Sequence, residues 1–131
     1  FSILLFLAGA LGFVLLAALG LNPIWASSVA LFFTALVMIA VDRNLKLDML
    51  LSGILMLFIA IIIYSFTLSF YPNLVEHFWL PSGLSGIRFM GIPIEELVWF
   101  TTWGMFAGIF YEFWRNAENY SDLAFGPKKE G

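Results

Sequence analysis

The chain has 131 residues, of which 62% are hydrophobic and only 11% charged, against roughly 25% charged in a soluble domain. No fold of that length hides so much apolar surface from water, so its solvent is lipid. A net charge of -3 made by few groups leaves no basic stripe for phosphates and sets nucleic acid aside as a partner, the absence of cysteine removes disulfides and thiolate chemistry, and the lone His77 cannot build a zinc site or a Ser-His-Asp relay.

Residues 1 to 41 carry no charged side chain, too long a stretch for one span of about 20 residues and suited to two. Asn22-Pro23 supplies the turn between them, because Asn tolerates turn geometry and Pro suits the first turn of a helix. Spans at about 1–21 and 24–41 follow. The cluster Asp42-Arg43-Asn44-Leu45-Lys46-Leu47-Asp48 is the first polar stretch, and residues 49 to 75 are again uncharged, which predicts a third span over 46–70. Pro72 and Asn73 stop it. Residues 72–92 mix Trp79, Pro81, Ser82, Gly83, Ser85, Gly86, Arg88 and Gly91 with apolar residues and read as an interfacial loop. A fourth span covers 93–114, and residues 116–131 form a polar tail.

The expected fold class is all-α, an integral membrane helical bundle of about four transmembrane helices in one domain, 1–115. Arg43, Lys46, Arg115, Lys128 and Lys129 fall on one side and Arg88 on the other, so the first side, with the C-terminus, is expected to be cytoplasmic. The chain opens on Phe1 with no charged leader or small-residue cleavage site. A signal peptide is therefore not expected, and sequence upstream of Phe1 is.

An ionisable residue at membrane depth costs about 2.5 to 3.5 kcal/mol, so the adjacent Glu95 and Glu96 at the mouth of the fourth span need a reason. One reason is structural: with Pro93 at the first helical position, both fall in the first turn, where the helix dipole favours negative charge. The other is chemical. Neighbouring helical side chains point about 100° apart, so one carboxyl can be buried and hold a proton while the other stays wet and ionised, a pair that moves protons without a cofactor. Glu96, Trp99, Phe100 and Trp103 share one face at helical spacing, and rings beside a proton donor suit a carbocation in an apolar pocket. Taken singly, these and the neighbouring Phe78, Trp79, Phe89, Phe106, Phe110, Tyr111, Phe113 and Trp114 read as an interfacial belt or packing. His77 beside Glu76 reads as interfacial, Arg88 as a partner of Glu95, Glu96 or lipid headgroups, and Glu112 with Arg115 as an i, i+3 ion pair.

The stretch Leu84-Ser85-Gly86-Ile87-Arg88-Phe89-Met90-Gly91-Ile92-Pro93-Ile94-Glu95-Glu96-Leu97-Val98-Trp99-Phe100 resembles the signature of the membrane-integral lycopene cyclase domain, found in heterodimeric bacterial and archaeal carotenoid cyclases and in the fused fungal type. Gly91, Pro93, Glu95 and Glu96 match its Gly-aliphatic-Pro-aliphatic-Glu-Glu pattern, and Gly86 and Arg88 match the glycine-basic stretch before it. The resemblance is specific over residues 79 to 111 and compositional over the first seventy. It departs where members carry a Trp-Asp pair late in the preceding helix; this chain reads Ile63-Tyr64-Ser65.

The resemblance implies a redox-neutral isomerisation: an end double bond of lycopene or a related acyclic carotene is protonated, the carbocation closes a six-membered ring, and a proton leaves. It implies Glu95 and Glu96 as catalytic groups, with Arg88, Trp99, Phe100 and Trp103 facing substrate and Gly91 and Pro93 as structural parts of the motif. The partners it implies are a membrane carotenoid or other lipid and a homologous or other membrane subunit, because such domains work in pairs. The setting it implies is a bacterial or archaeal cell membrane. No Gly-x-Gly-x-x-Gly follows a strand, so no cofactor is expected, and no metal site either.

Intramembrane CAAX-type proteases follow their Glu-Glu pair with an Arg and with His-bearing helices, absent here, and the scattered Asp42, Asp48 and Asp122 cannot form the diphosphate clamp of a prenyltransferase. The alternative left open is a non-catalytic small integral subunit of a larger membrane complex that binds carotenoid or lipid.

Overall fold

The structure, a computed structural model, describes residues 2–78, 85–116 and 125–126. The expected positions Phe1, Trp79, Pro81, Ser82 and Gly83, and most of the tail with Asp122, Lys128 and Lys129, lie outside the described residues. Four long helices dominate: α1 (Ser2–Ala18), α2 (Pro23–Val41), α3 (Lys46–Phe70) and, after a short α4 (Leu74–Phe78), α5 (Ile94–Arg115). The 19-residue α2 and the stretch Arg43–Phe70 are long and apolar enough to cross a membrane, whereas α1 is shorter at 17 residues.

Local chemistry sets each boundary. Gly20 sits at φ 89°, and its N–H reaches Ala17 O at 3.1 Å while that of Leu21 reaches Leu16 O at 3.1 Å, the pair of bonds that closes a helix through a left-handed residue. Asn22 then caps α2, its Oδ1 accepting from Ile24 N–H at 3.0 Å, with Pro23 in the first turn where a missing N–H costs nothing. Asp42 accepts from Asn44 N–H at 3.0 Å and starts a 3-10 turn, Arg43–Leu45, that drops Leu45 into the core.

The core is thin. Ala35, Met38, Leu45, Met49, Phe106, Ile109 and Phe113 form its centre. Between α3 and α5 the backbones approach through small residues: a Cβ on Gly104 would sit 2.7 Å from the Ser52 carbonyl oxygen, and one on Gly53 2.6 Å from Met105 Cγ. Close approach over glycine is how helices gain dispersion contacts where lipid removes the hydrophobic incentive to associate. The other faces are apolar and exposed, Leu55, Ile62 and Phe66 among them, as a lipid solvent permits.

The interfacial loop has more structure than composition predicts. It contains α4 and a two-stranded antiparallel hairpin, β1 (Arg88–Phe89) and β2 (Ile92–Pro93), with Arg88 opposite Pro93 and Phe89 opposite Ile92. Met90 and Gly91 make the turn with φ 52° and 81°, the positive pair that matches the twist of a tight hairpin. Pro93 therefore belongs to β2 and is the residue preceding α5 rather than its first helical position, because its φ of -57° and ψ of 134° are extended. Glu112 and Arg115 do not close into the expected ion pair: among the described residues the salt bridge is Arg88 to Glu76, and an exposed pair at a helix end gains too little to hold two long side chains together.

Candidate functional site

The hairpin delivers the chain into α5 so that Glu95 and Glu96 occupy its first turn, with free N–H groups beneath them. Both are buried, at 1% and 6% exposure, so the expected division into one dry and one wet carboxyl does not hold. The covering residues differ instead. Glu95 Oε1 accepts the Ser85 N–H at 2.6 Å, tying the loop to the helix, while its buried Oε2 has no hydrogen-bond partner. Glu96 lies within hydrogen-bonding reach of the Tyr64 hydroxyl and lines a cavity of about 530 Å³ with Phe13, Asn22, Pro23, Ile24, Ser27 and Trp99.

Phe13, Ser27 and Trp99 also bound a second cavity of about 350 Å³, walled by Phe6, Gly9 and Ala10 of α1, Ala30, Leu31 and Thr34 of α2, and Trp103 and Phe106 of α5. The two adjoin at Phe13, Ser27 and Trp99, and we call the pair a slot, with Glu96 at its head. On α5 the slot runs from Glu96 to Phe106, about 15 Å at about 1.5 Å rise per residue. Its lining is almost wholly apolar, and the Ser27 and Thr34 hydroxyls are turned back to the carbonyls of Ile24 at 3.0 Å and Ala30 at 2.7 Å. Phe106 stacks on Phe110 at 5.0 Å between centroids, and Phe110 meets Phe6 at 6.2 Å, so rings gather at the far end.

Of the rings expected on one face, Trp99 and Trp103 do line the slot, their planes 90° apart at 6.5 Å. Phe100 does not. It turns toward α3, where its edge meets Tyr64 at 6.4 Å, because one residue beyond Trp99 is a rotation of about 100°. Arg88 does not reach Glu95 or Glu96; its Nη1 bonds Glu76 Oε1 at 3.1 Å on the exposed surface, away from the slot. Gly91 is the second of the two positive-φ residues of the hairpin turn, and Pro93 is buried. His77 is exposed beside Glu76, facing Pro72 and Asn73. Among the described residues no three His, Asp or Glu side chains cluster as a metal site.

Sequence reasoning missed the whole wall given by α1 and α2, and Tyr64. Phe6, Gly9, Ala10 and Phe13 do recur at helical spacing, as do Ser27, Ala30, Leu31 and Thr34. In helices apolar all round, that signal cannot be separated from lipid contact.

Fold and site together are those of a helical protein, two of whose helices are long and apolar enough to cross a membrane, with two buried carboxyls at the head of an apolar slot. A family model described as lycopene cyclase matches residues 22–114, and the chain belongs to that family. Membership supports a carotenoid cyclase-like function in carotenoid biosynthesis. No curated protein and no solved structure matches the chain.

Proposed function

We propose that this chain is a subunit of a carotenoid cyclase that works by acid-base chemistry with no redox change. Glu96 gives its proton to the terminal double bond of an acyclic carotene end group. The resulting tertiary cation is attacked by the neighbouring double bond, a carbon-carbon bond closes the six-membered ring, and the ring cation loses a proton to the carboxylate. One proton goes in and one comes out, so substrate and product are isomers. Glu95, one residue away and also buried, is the second carboxyl of the pair, and its tie to Ser85 fastens the loop to the first turn of α5.

The observation that carries this reading is the position of Glu96: a buried carboxyl opening onto an apolar slot whose walls include Trp99 and Trp103. A ring face stabilises a passing cation without offering a nucleophile that would trap it. The slot's lining suits a hydrocarbon rather than a polar metabolite. All four long helices cross the bilayer in this reading, α1 and α5 included, with Arg43, Lys46 and the C-terminal end on the cytoplasmic side and the hairpin at the outer leaflet. A second copy of the family type is the partner.

Expression in lycopene-accumulating cells, alone and with a second family-type chain, tests the proposal. Cyclic carotene should form and Glu96→Gln should abolish it. Lycopene alone with every partner tried overturns the catalytic reading, and a chain that co-purifies with carotenoid yet converts none is a non-catalytic membrane subunit.

A further inference from the structure

Glu96 stands between two neighbours of opposite character. Toward α1 and α2 is the apolar slot; from α3 comes the Tyr64 hydroxyl, within hydrogen-bonding reach of the carboxylate. The Tyr64 ring is itself fixed, meeting Phe100 edge-on at 6.4 Å and 75°, and Phe100 meets Trp99 at 5.1 Å and 71°. Trp99 is the ring common to both parts of the slot. The terminal torsion of a glutamate is broad and roughly two-fold, so burial alone does not decide where its oxygens point. A hydrogen bond to one oxygen does.

We infer that Tyr64 is a positioning residue of this site: its hydroxyl holds one oxygen of Glu96 so that the other faces the slot, and Phe100 keeps Tyr64 in place. The inference rests on the reading of Glu96 as the acid. Tyr64 touches no substrate and exchanges no net proton. When the carboxyl has given up its proton, the phenol O–H donates to the carboxylate, and when the proton returns the same bond remains. Phe100 thereby acts on the hydrocarbon only through Tyr64 and Glu96, which accounts for a ring at helical spacing that is absent from the slot lining.

Tyr64→Phe removes the hydroxyl and keeps the ring against Phe100. With the full chain and its partner copy in lipid vesicles carrying lycopene, kcat should fall about tenfold, the equivalent of about 1.4 kcal/mol, with KM changed by less than about twofold. A residue that only supported packing would move both or neither. Infrared spectroscopy gives a reading that needs no turnover: the carboxyl band assigned to Glu96 by its loss in Glu96→Gln should shift in Tyr64→Phe. Ring-fluorinated tyrosine at position 64, a stronger donor that leaves the fold intact, should shift the same band in the opposite direction. An unmoved band together with unchanged kcat overturns the inference. A wild-type chain that cyclises nothing strikes the cyclase reading instead, and the infrared band still decides the role of Tyr64.

Discussion

Glu95 and Glu96 are adjacent in sequence and equally buried, yet the first is bound to the Ser85 backbone at 2.6 Å and the second opens onto the slot. Glu95→Gln keeps an oxygen for the Ser85 N–H and removes only the charge, so the hairpin should stay in place and cyclisation should fall less than in Glu96→Gln. Loss of a general acid corresponds to about 100-fold or more in rate. Carotene yields from the two variants, with amide exchange at Ser85 as the structural check, separate the roles; equal losses with an intact hairpin would contradict them.

The slot can be filled without touching either carboxyl. Ala10→Phe or Ala30→Leu places a bulkier side chain in the part lined by Trp103 and Phe106. Substitutions at such half-open positions cost within about 0.5 kcal/mol, so the melting temperature should hold while carotenoid no longer co-purifies. Pigment retained at the wild-type ratio would show that the hydrocarbon lies elsewhere.

The seam between α3 and α5 should be intolerant where α1 at Gly12 is not. Gly104→Ala pushes a methyl against the Ser52 carbonyl, which is backbone and cannot step aside, and against the Met56 side chain, at a cost of about 1 to 3 kcal/mol. Nothing lies within 4 Å of a Cβ on Gly12, so Gly12→Ala should stabilise α1 by about 0.5 to 1 kcal/mol through helix propensity alone. Thermal unfolding in one detergent compares them directly.

Glu76 is held below the usual carboxylate range, chiefly by its own backbone N–H and then by the Arg88 guanidinium. A lowered value in the folded state means that the tether between α4 and β1 is present above the unfolded carboxylate pKa and is lost as pH falls through the lowered one. Arg88→Gln should bring Glu76 back toward ordinary titration, measurable from the side-chain carbon shift in NMR. An unchanged midpoint would mean the guanidinium contributes nothing in solution.

A chain without cysteine suits topology mapping. Asn44→Cys lies in the turn before α3 and Ile87→Cys beside the hairpin, both at exposed positions. An impermeant thiol reagent should label them from opposite faces of the membrane; labelling from the same face would refute the four-span arrangement.

Helix positions were readable from the sequence because charge, Pro and Asn interrupt long apolar runs: α2 and α3 begin and end within a residue or so of the expected spans. What composition hid was conformation within the polar stretch. The Met90-Gly91 turn is short, and the positive φ at Met90 is imposed by hairpin closure rather than announced by residue type. The site was half legible. Glu95 and Glu96 stand out because charge is rare in such a chain, and Trp99 and Trp103 follow by spacing. Arg88 was misplaced because a nearby acid on another element, Glu76, competes for it, and Tyr64 joins the site only through the register of α3 on α5, a long-range fact that no local pattern encodes.

The segment matching the family begins at residue 22, after α1 has ended. Phe6, Gly9, Ala10 and Phe13 thus lie in a helix outside it, while Glu96, Tyr64, Trp99 and Trp103 lie within. One wall of the slot is consequently carried by a stretch of chain separate from Glu96: replacing the first helix would recut that wall while the carboxyl keeps its address.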